Sequence, residues 1–394
     1  FRPQTFRPQT FRPQTFRPFM LLDLIVGARP NFMKIAPLIR AIRAYNEKLP
    51  SGDSRRDLLQ FRLVHTGQHY DRNMSGSFFD DLGIPEPDIN LNVGSGTQAE
   101  QTAGIMLGYE KLLTEKKPDL CIVVGDVTST MACAIAAKKM LVPVAHIEGG
   151  IRSGDMSMPE EINRIVTDSI TDWFFTTSET ANENLRRSGV TETRILFVGN
   201  TMIDTLLDSR PRFRKPAIWD EQGLIEKRFI VLTLHRPNNV DDPANLKHLL
   251  DEISDTSGGI PIIFPVHPRT RKILSDNGIK ISPVLHLTDP MGYLEFNYLV
   301  ERAMAVITDS GGITEETTVM GVPCMTLRNS TERPETVTIG TNELLGTDPD
   351  AIAPAMHKLL SGNWKKGSIP PLWDGHTAER IIEIISTLFD RKTA

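Results

Sequence analysis

Residues 305–317 combine side chains and backbone features that suit a nucleotide. An apolar, strand-like run ends at Asp309, and a Ser-Gly-Gly turn at 310–312 leads into the start of a helical pattern. Glycines let a ligand approach the backbone, and the free N–H groups of a first helical turn attract phosphate. Glu315 and Glu316 have the wrong charge for phosphate, but a carboxylate accepts both O–H groups of a sugar diol. The alternative is a strand–turn–helix corner whose acids complement the helix dipole.

Three more acidic residues follow segments that read as strands. Asp126 comes directly after the apolar run 120–124, and Glu148 lies in a His-Ile-Glu-Gly-Gly segment. Glu160 stands in a Pro-Glu-Glu sequence where a helical pattern starts. Each acid has an ordinary structural explanation, because carboxylates cap helices and stabilise their first turns. Their repeated position at strand ends favours a second interpretation, in which they act as acids or bases in a cleft.

Basic side chains occupy corresponding positions in the two halves of the chain. Arg29 lies in the Gly-Ala-Arg-Pro turn after the first predicted strand, and Lys34 follows one helical turn later. His235 ends the first predicted strand of the second half. Arginine clamps phosphate with two parallel hydrogen bonds, and histidine binds phosphate or transfers protons. The alternative is a tight turn with two solvated cations and a structural histidine.

Short apolar runs alternate with helical periodicity along most of the chain. This alternation predicts an α/β fold with parallel sheets covered by helices on both faces. Because ligands bind beyond the carboxyl ends of such strands, the polar motifs are expected to face a cleft. The predicted strands are residues 20–26, 61–66, 120–124, 142–147, 173–176 and 195–198 in the first half, and 229–234, 260–266, 284–287, 305–308 and 323–327 in the second.

The alternation weakens between residues 205 and 227, where Arg-Pro, Lys-Pro and Gln-Gly pairs mark a polar linker. We therefore predict two Rossmann-like domains facing a central cleft, one over residues 20–208 and one over 209–375. An amphipathic pattern at 377–389 predicts a final helix, so that residues 376–394 pack back on the first domain.

The first nineteen residues are predicted to lie outside the fold. They hold three copies of Phe-Arg-Pro-Gln-Thr and the start of a fourth, and a proline in every copy prevents a helix or a central strand. The segment lacks the apolar core of a secretory signal, so we expect a tail and a fold that starts at Met20. The tail is basic and has no acids; its arginines are Arg2, Arg7, Arg12 and Arg17.

The composition excludes several classes of partner. The formal net charge is −5 without a block of basic residues, which argues against nucleic acid, and no apolar stretch is long enough to cross a bilayer. Cys121, Cys133 and Cys324 lie in apolar segments without CxxC spacing, so we expect buried thiols, a cytoplasmic location and no metal. Residues 94–99 match the G-x-G-x-x-A outline, but the preceding residues 89–93 include two asparagines and no convincing βαβ unit surrounds the match, so a nicotinamide cofactor is not supported.

Taken together, the motifs resemble those of the non-hydrolysing UDP-N-acetylglucosamine 2-epimerases, from about Met20 to Leu388. The resemblance implies a GT-B fold, a homodimer, and a reaction without metal or nicotinamide. This reaction interconverts UDP-N-acetylglucosamine and UDP-N-acetylmannosamine, which serve polysaccharide biosynthesis, by eliminating UDP to a 2-acetamidoglucal and adding it back. The matching motifs are Gly27-Ala-Arg-Pro30, His65-Thr-Gly-Gln-His69, Gly125-Asp126, His146-Ile-Glu-Gly-Gly150, Pro159-Glu-Glu-Ile-Asn-Arg164, His235-Arg236, Asp309-Ser-Gly-Gly312 and Thr331-Glu-Arg-Pro-Glu335.

The resemblance also implies roles for individual residues. Asp126, Glu148 and Glu160 would be the acid/base carboxylates, with the order of their action left open, and His235 would assist them. We expect that gathering these carboxylates near a diphosphate raises their proton affinities. The substrate-binding residues implied by the resemblance are Arg29, Lys34, Arg164, Arg333, Ser310, Gly311 and Gly312 (the diphosphate turn), and Glu316 (the ribose ligand).

The chain departs from the family pattern at several positions. Asn31 replaces a glutamate that many bacterial members have, and His235-Arg236 is not followed by a second arginine and glutamate. Gln68 and His69 match the turn where bacterial relatives bind an activating second substrate, so they are candidate allosteric residues, whereas Asp71 departs from it.

Four other functions remain open at the level of sequence. The first is epimerisation of a related sugar such as UDP-2,3-diacetamido-glucuronic acid, although Thr331-Glu-Arg-Pro-Glu335 favours the N-acetylglucosamine enzymes. The others are a hydrolysing epimerase, a GT-B glycosyltransferase, and a non-catalytic nucleotide-sugar sensor.

Overall fold

The computed structural model describes residues 19–49, 58–67 and 81–390. The side chain of Arg29 is not among the described groups. Residues 1–18 of the predicted tail over 1–19, and the candidate allosteric residues Gln68 and His69, also lie outside the described residues.

The first half of the chain forms a seven-stranded sheet in which every strand pair is parallel. The strand order is β3-β2-β1-β4-β5-β6-β7, so β1 and β4 meet where the chain direction across the sheet reverses. Ligands bind at such switch points. The strands are β1 Met20–Val26, β2 Leu59–His65, β3 Ile89–Asn90, β4 Leu120–Val124, β5 Val144–Ile147, β6 Trp173–Thr176 and β7 Ile195–Phe197.

The second half forms a six-stranded parallel sheet with the order β10-β9-β8-β11-β12-β13. Its switch point lies between β8 and β11, which carry His235 and Asp309 just beyond their carboxyl ends. The strands are β8 Ile230–Thr233, β9 Ile262–Pro265, β10 Leu285–Thr288, β11 Ala305–Thr308, β12 Cys324–Thr326 and β13 Asn342–Leu344. The predicted α/β class with two parallel sheets is confirmed.

Helices alternate with the strands in both halves. Those of the first half are α1 Arg29–Lys48, α2 Gln98–Glu115, α3 Thr128–Lys139, α4 Pro159–Ile170, α5 Glu179–Arg187 and α6 Thr201–Ser209. The remaining helices are α7 Ala217–Glu221, α8 Pro237–Val240, α9 Pro243–Thr256, α10 Pro268–Asp276, α11 Tyr293–Arg302, α12 Gly311–Met320, α13 Pro334–Thr338, α14 Ile352–Leu360 and α15 Thr377–Asp390.

Helix α1 shows how proline is accommodated close to the site. Pro30 lies in the first turn, where its missing N–H has no intrahelical acceptor to serve. Pro37 lies inside the helix and cannot donate to the Met33 carbonyl. The hydroxyl of Thr205 on α6 donates to that carbonyl at 2.6 Å instead. The helix therefore continues through Pro37 and keeps Lys34 in place.

The segment around residues 94–99 lies between a short strand and a helix. The two-residue strand β3 precedes it, and α2 follows it. The nucleotide interpretation still fails on chemistry. Thr97 caps α2 by accepting from the Glu100 N–H, and the Glu100 carboxylate accepts from the Thr97 N–H at 2.8 Å. An acid thus occupies the place that a phosphate would need.

The final helix α15 packs against α1. Its Ile381, Ile382 and Ile385 belong to the apolar core on that face of the first sheet. Since α6 ends at Ser209 and the second sheet follows, we propose the boundary between two domains near residue 210. The three cysteines are buried, as expected. No helix within the described ranges is both long and apolar enough to span a bilayer.

Candidate active site

A cavity of about 740 Å³ lies between the carboxyl ends of the two sheets. This volume falls within the range of small-molecule sites. The first half lines it from α1, α4 and the turn after β4, and the second half from the turns after β8, β11 and β12. Most residues named from sequence meet there: Lys34, Asp126, Glu160, Arg164, His235, Ser310, Gly311, Gly312, Glu316 and Arg333.

Glu148 lies behind the cavity wall, bound to two of the cations that form it. The Lys34 Nζ is 2.7 Å and the Arg333 Nη2 is 2.8 Å from its Oε2. Burial alone would raise the pKa of Glu148, but these two cations outweigh it and lower the pKa to about 2. The expectation of a raised proton affinity was therefore wrong for this residue. Glu148 is held as a carboxylate, and it positions Lys34 and Arg333.

Arg333 connects the two halves of the molecule. Its Nη2 donates to Glu148 from the first half, and its Nε donates to Glu315 on α12. The side-chain amide of Asn200 also donates to Glu315, at 2.9 Å. Burial raises the pKa of Glu315, opposed by the charge of Arg333. Because Glu315 already accepts hydrogen bonds from Arg333 and Asn200, Glu316 is the member of the Glu315-Glu316 pair that remains a candidate for binding a sugar diol.

Asp126 is paired with a cation of α4. Arg164 donates from Nη2 to the Asp126 carboxylate, and from Nη1 to Glu161 at 2.8 Å. The Asn163 side chain donates to the Asp126 backbone carbonyl at 2.8 Å. Residues of α4 thus hold the backbone of Asp126 in place and pair its carboxylate with a cation. Sequence reasoning had named Arg164 only as a substrate ligand.

Glu160 differs from the other acids that line the cavity. It lies in the first turn of α4 and is partly exposed to the cavity. Among the described carboxylates of this cavity, it is the one with neither a hydrogen bond nor an ion pair from the protein. Its lone pairs are therefore available to a substrate.

His235 is oriented by a buried acid that sequence reasoning noticed only as the end of a strand. The Nδ1 of His235 lies 2.6 Å from the Asp309 Oδ1. Asp309 also accepts the backbone N–H groups of His235 and Arg236, at 3.0 and 2.9 Å, and the Asn239 side chain, at 3.1 Å. These bonds hold the imidazole and its turn at the cavity edge, with Nε2 free of this contact.

The predicted diphosphate turn begins α12. Ser310 is the N-cap residue, and Gly311 and Gly312 form the first turn with their side facing the cavity. One turn later, Glu316 accepts a hydrogen bond from the Tyr293 hydroxyl at 2.8 Å. Burial raises the pKa of Glu316 to about 7, against the lowering effect of that bond. The turn at residues 310–312 and the Glu316 carboxylate thus lie next to each other on the cavity wall.

Three charged residues that line the cavity, Arg236, Arg328 and Glu332, were not named as site residues from sequence. Arg328 donates twice to Glu332, at 2.8 and 2.7 Å, so its charge is neutralised. Arg236 has no carboxylate within ion-pair distance among the described residues; its Nε donates only to the Asp309 carbonyl, at 3.3 Å. Its position next to His235 was the available signal.

One group of residues in the described ranges has spacing that could suit a metal, and it lies outside this cavity. His248 and Glu252 on α9 approach Asp350, with His248 Nε2 at 3.8 and 3.6 Å from the two carboxylates. All three are partly or fully exposed, and such clusters are common on surfaces without an ion.

Comparison with known proteins agrees with this architecture. Two parallel sheets facing a charged cleft define a GT-B-type α/β protein. The family model described as UDP-N-acetylglucosamine 2-epimerase matches residues 53–386, and the chain belongs to that family. It is 39% identical over 382 residues to the UDP-N-acetylglucosamine 2-epimerase of Methanocaldococcus jannaschii, covering 93% of this chain and 99% of that relative.

Two further similarities bear on the substrate. The chain is 38% identical over 373 residues to the UDP-2,3-diacetamido-2,3-dideoxy-D-glucuronate 2-epimerase of Pseudomonas aeruginosa, covering 94% of this chain and 100% of that one. The fold of the present chain matches the crystal structure of the M. jannaschii enzyme in complex with UDP-GlcNAc and UDP, with a TM-score of 0.80 and 38% identity. The match covers 93% of this chain and 100% of that one.

Proposed function

We propose that the protein is an isomerase that interconverts UDP-N-acetylglucosamine and UDP-N-acetylmannosamine. The hydrogen on C2 of the sugar is not next to a carbonyl, so it is not acidic enough for direct removal. In the proposed route a base takes this proton, the C1–O bond breaks, and UDP leaves with the bonding electrons. The resulting 2-acetamidoglucal is protonated at C2 on its other face, and the UDP oxygen re-forms the bond to C1.

The observation that carries this proposal is the meeting of free and paired charges in one cavity. Glu160 offers an unpaired carboxylate for proton transfer, while Asp126 is held by Arg164. Lys34 and the turn at residues 310–312 offer donors to a departing diphosphate. A site built only for binding would have no need of an unpaired acid beside phosphate donors. Family membership supports the same reaction.

Solvent exchange tests the proposal against each alternative. UDP-N-acetylglucosamine is incubated with the protein in deuterated water and followed by NMR. Deuterium at C2 of a sugar still attached to UDP, with N-acetylmannosamine signals, is the expected result. Release of free sugar would indicate a hydrolysing enzyme. Absence of exchange would contradict the proposal and leave a glycosyltransferase, detected by adding acceptors, or a sensor that only binds.

A related substrate, a UDP-2,3-diacetamido-glucuronic acid, is the second candidate. Its carboxylate at C6 requires a cation that the protein has not already neutralised, and Arg236 meets this requirement. The P. aeruginosa relative acts on this class of sugar by its name. Comparing kcat/KM for the two UDP-sugars decides between them. If Arg236→Met reduces turnover of the uronate much more than that of UDP-N-acetylglucosamine, the uronate is the better assignment.

Uridine binding is expected to strengthen as the pH rises through about 7. Burial raises the pKa of Glu316 to about 7, and the ionised form accepts both ribose hydroxyls. Only about a tenth of the carboxyl groups are ionised one unit below the pKa, so affinity should rise up to about tenfold between roughly pH 6 and 8. Calorimetry with uridine measures this without phosphate titration. The same burial makes folding less favourable as the pH rises from 4.5 through about 7.

Two controls isolate Glu316 in this experiment. Glu316→Gln should bind uridine with an affinity that no longer depends on pH in this range. Wild-type protein should bind 2′-deoxyuridine, which lacks one diol hydroxyl, more weakly and with a smaller dependence on pH. An unchanged pH dependence in Glu316→Gln would remove the proposed ribose contact.

We further propose a homodimer through the outer face of α4, defined by Ile162 and Ile165. The distribution of polar and apolar residues on this helix is the opposite of that on an ordinary surface helix. Its buried side carries polar residues, whereas Ile162 and Ile165 are 45% and 39% exposed. Leu107 on α2 and Leu141 after α3 are also exposed, and α3 packs against α4. Exposed apolar residues on a helix face are typical of protein interfaces, and a second copy offers an equally apolar surface.

The interface is tested by charge insertion. Ile165→Asp is expected to convert a dimer into a monomer, because an unpaired carboxylate would be buried in the contact. Light scattering coupled to size exclusion measures the mass. Leu360→Asp at the end of α14, a similarly exposed apolar position in the other half, should remain dimeric. A monomeric wild-type protein at concentrations of about 50 μM would contradict the proposal.

We also propose where the protein acts and which process it serves. Three buried free thiols fit a reducing compartment, so we propose a cytoplasmic enzyme. Its product would supply activated N-acetylmannosamine to polysaccharide assembly.

A further inference from the structure

His146 on β5 is a buried histidine whose two ring nitrogens both meet acceptors. Its Nδ1 lies 2.7 Å from Asp168 Oδ1, and its Nε2 lies 2.8 Å from the Gly125 carbonyl oxygen. A carbonyl oxygen cannot donate, so Nε2 must carry a proton. A neutral imidazole would then have an unprotonated Nδ1, which would need a protonated Asp168 as its donor.

The surroundings of Asp168 place the remaining proton on the histidine. Its Oδ2 accepts from the Gly150 N–H at 3.0 Å and forms an ion pair with Arg152, whose Nη1 lies 2.7 Å away, as expected for a carboxylate. The positive charge of Arg152 favours the ionised form of Asp168. His146 is therefore an imidazolium that donates from both nitrogens, and Asp168 is its counter-charge.

This ion pair joins the segments that carry the cleft carboxylates. The Gly125 carbonyl belongs to the turn that ends in Asp126, and the Gly150 N–H belongs to the turn after Glu148. Gly125, Glu148 and Gly150 all have left-handed backbone angles, with φ of 68°, 70° and 83°. Such a conformation is strained for Glu148 and persists only where neighbouring contacts enforce it. Asp168 itself lies on α4, the helix that carries Glu160 and holds Asp126 through Arg164.

We propose that the His146 imidazolium and Asp168 act together as positioning residues for the reaction. The pair fixes the turns that carry Asp126 and Glu148 relative to α4. The inference rests on the proposed function and goes beyond it, since neither residue contacts the cavity. Across the sheet, His146 faces Val123 and Phe174, which carry no charge. The charged groups on the surrounding elements are Asp168 on α4, Arg152 in the loop after β5, Asp126 after β4 with its partner Arg164, and Glu148 with its partners Lys34 and Arg333.

The protonation state is measured first, on the wild-type protein and without substrate. Heteronuclear NMR of ¹⁵N-labelled histidines, assigned by the signal lost in His146→Gln, is expected to show protons on both ring nitrogens at about pH 7. A single protonated nitrogen would overturn the inference whether or not the protein epimerises any sugar. Failure of the solvent-exchange experiment would remove the proposed function while leaving this measurement to decide the charge.

Kinetics then test the positioning role. The amide of His146→Gln donates to only one of the two acceptors, so kcat should fall about 10²-fold, while KM and UDP affinity stay within about twofold. Active-site titration with UDP gives kcat per folded molecule, which a merely structural role would leave unchanged. Asp168→Asn should cause a similar loss, and the double variant should be no slower than either single one. Additive losses, or an unchanged kcat in Asp168→Asn, would overturn the inference. His376→Gln, at an exposed histidine, is the control with wild-type kinetics.

Discussion

Replacing Glu160 with glutamine is expected to lower kcat by about 10²–10⁴-fold while UDP still binds, because general acid–base catalysis contributes about that much. Glu160 lines the cavity without a hydrogen bond or ion pair from described residues, whereas Asp126 and Glu148 are held by cations. Glutamine keeps the shape and removes the ability to take a proton. The loss should appear equally in deuterium exchange at C2 and in epimerisation.

A matched control distinguishes the loss of a cleft carboxylate from the loss of any carboxylate in the first turn of a helix. Glu179 lies in the first turn of α5 and is exposed outside the cavity, so Glu179→Gln should leave kcat unchanged. Binding of UDP to Glu160→Gln is measured by calorimetry and should stay within about threefold of wild type. A Glu160→Gln enzyme that retained near wild-type turnover would exclude this residue as the proton-transfer group.

Replacing Arg333 with methionine is expected to reduce the free energy of unfolding by about 3–5 kcal/mol, since it leaves buried carboxylates without their partner. Glu148 and Glu315 are both buried, and both accept bonds from Arg333. Methionine replaces the aliphatic volume but none of the charge. Urea denaturation followed by circular dichroism measures the change. We also expect weaker UDP binding, because Arg333 lines the cavity.

The pH dependence of this loss identifies its cause. In the wild-type protein the pKa of Glu148 is lowered from 4.5 to about 2, so its ion pairs contribute stability above pH 4.5 that is lost as the pH falls toward 2. The difference between wild type and Arg333→Met should therefore be largest near neutral pH and shrink in acid. Arg186→Met, which breaks an exposed pair with Glu192, should hardly change the urea midpoint. A loss independent of pH would point to packing rather than charge.

The sequence predicted the strands because their residues are buried on both faces. The bounds of β1, β4, β6 and β11 agree with the predicted ones, since each is a short run made mainly of apolar or aromatic residues between turn signals. The polar motifs follow these strands, so their meeting at one edge of each sheet was also predictable. The strands β3 and β13 were missed because they are two or three residues long and include asparagine.

Pairing within the cleft was not predictable from spacing. Position at a strand end locates a side chain to within a few ångströms, but it does not decide which cation that side chain meets. Glu148 was named from sequence as a proton-transfer group, and its ion pairs with Lys34 and Arg333 were not foreseen. Asp309 and Asp168 were missed for the same reason, because their histidine partners lie 74 and 22 residues away in the chain.

The reversed polarity of α4 has a consequence for how the enzyme would be assayed. One side of this helix holds Glu160 and the residues that orient Asp126, and the opposite side carries the exposed Ile162 and Ile165, where we propose that a second copy binds. Dilution that dissociates the copies would expose Ile162 and Ile165 to water and loosen the helix on which turnover depends. Specific activity should then decline as enzyme concentration is lowered, and inactive subunits mixed with active ones should partly restore it.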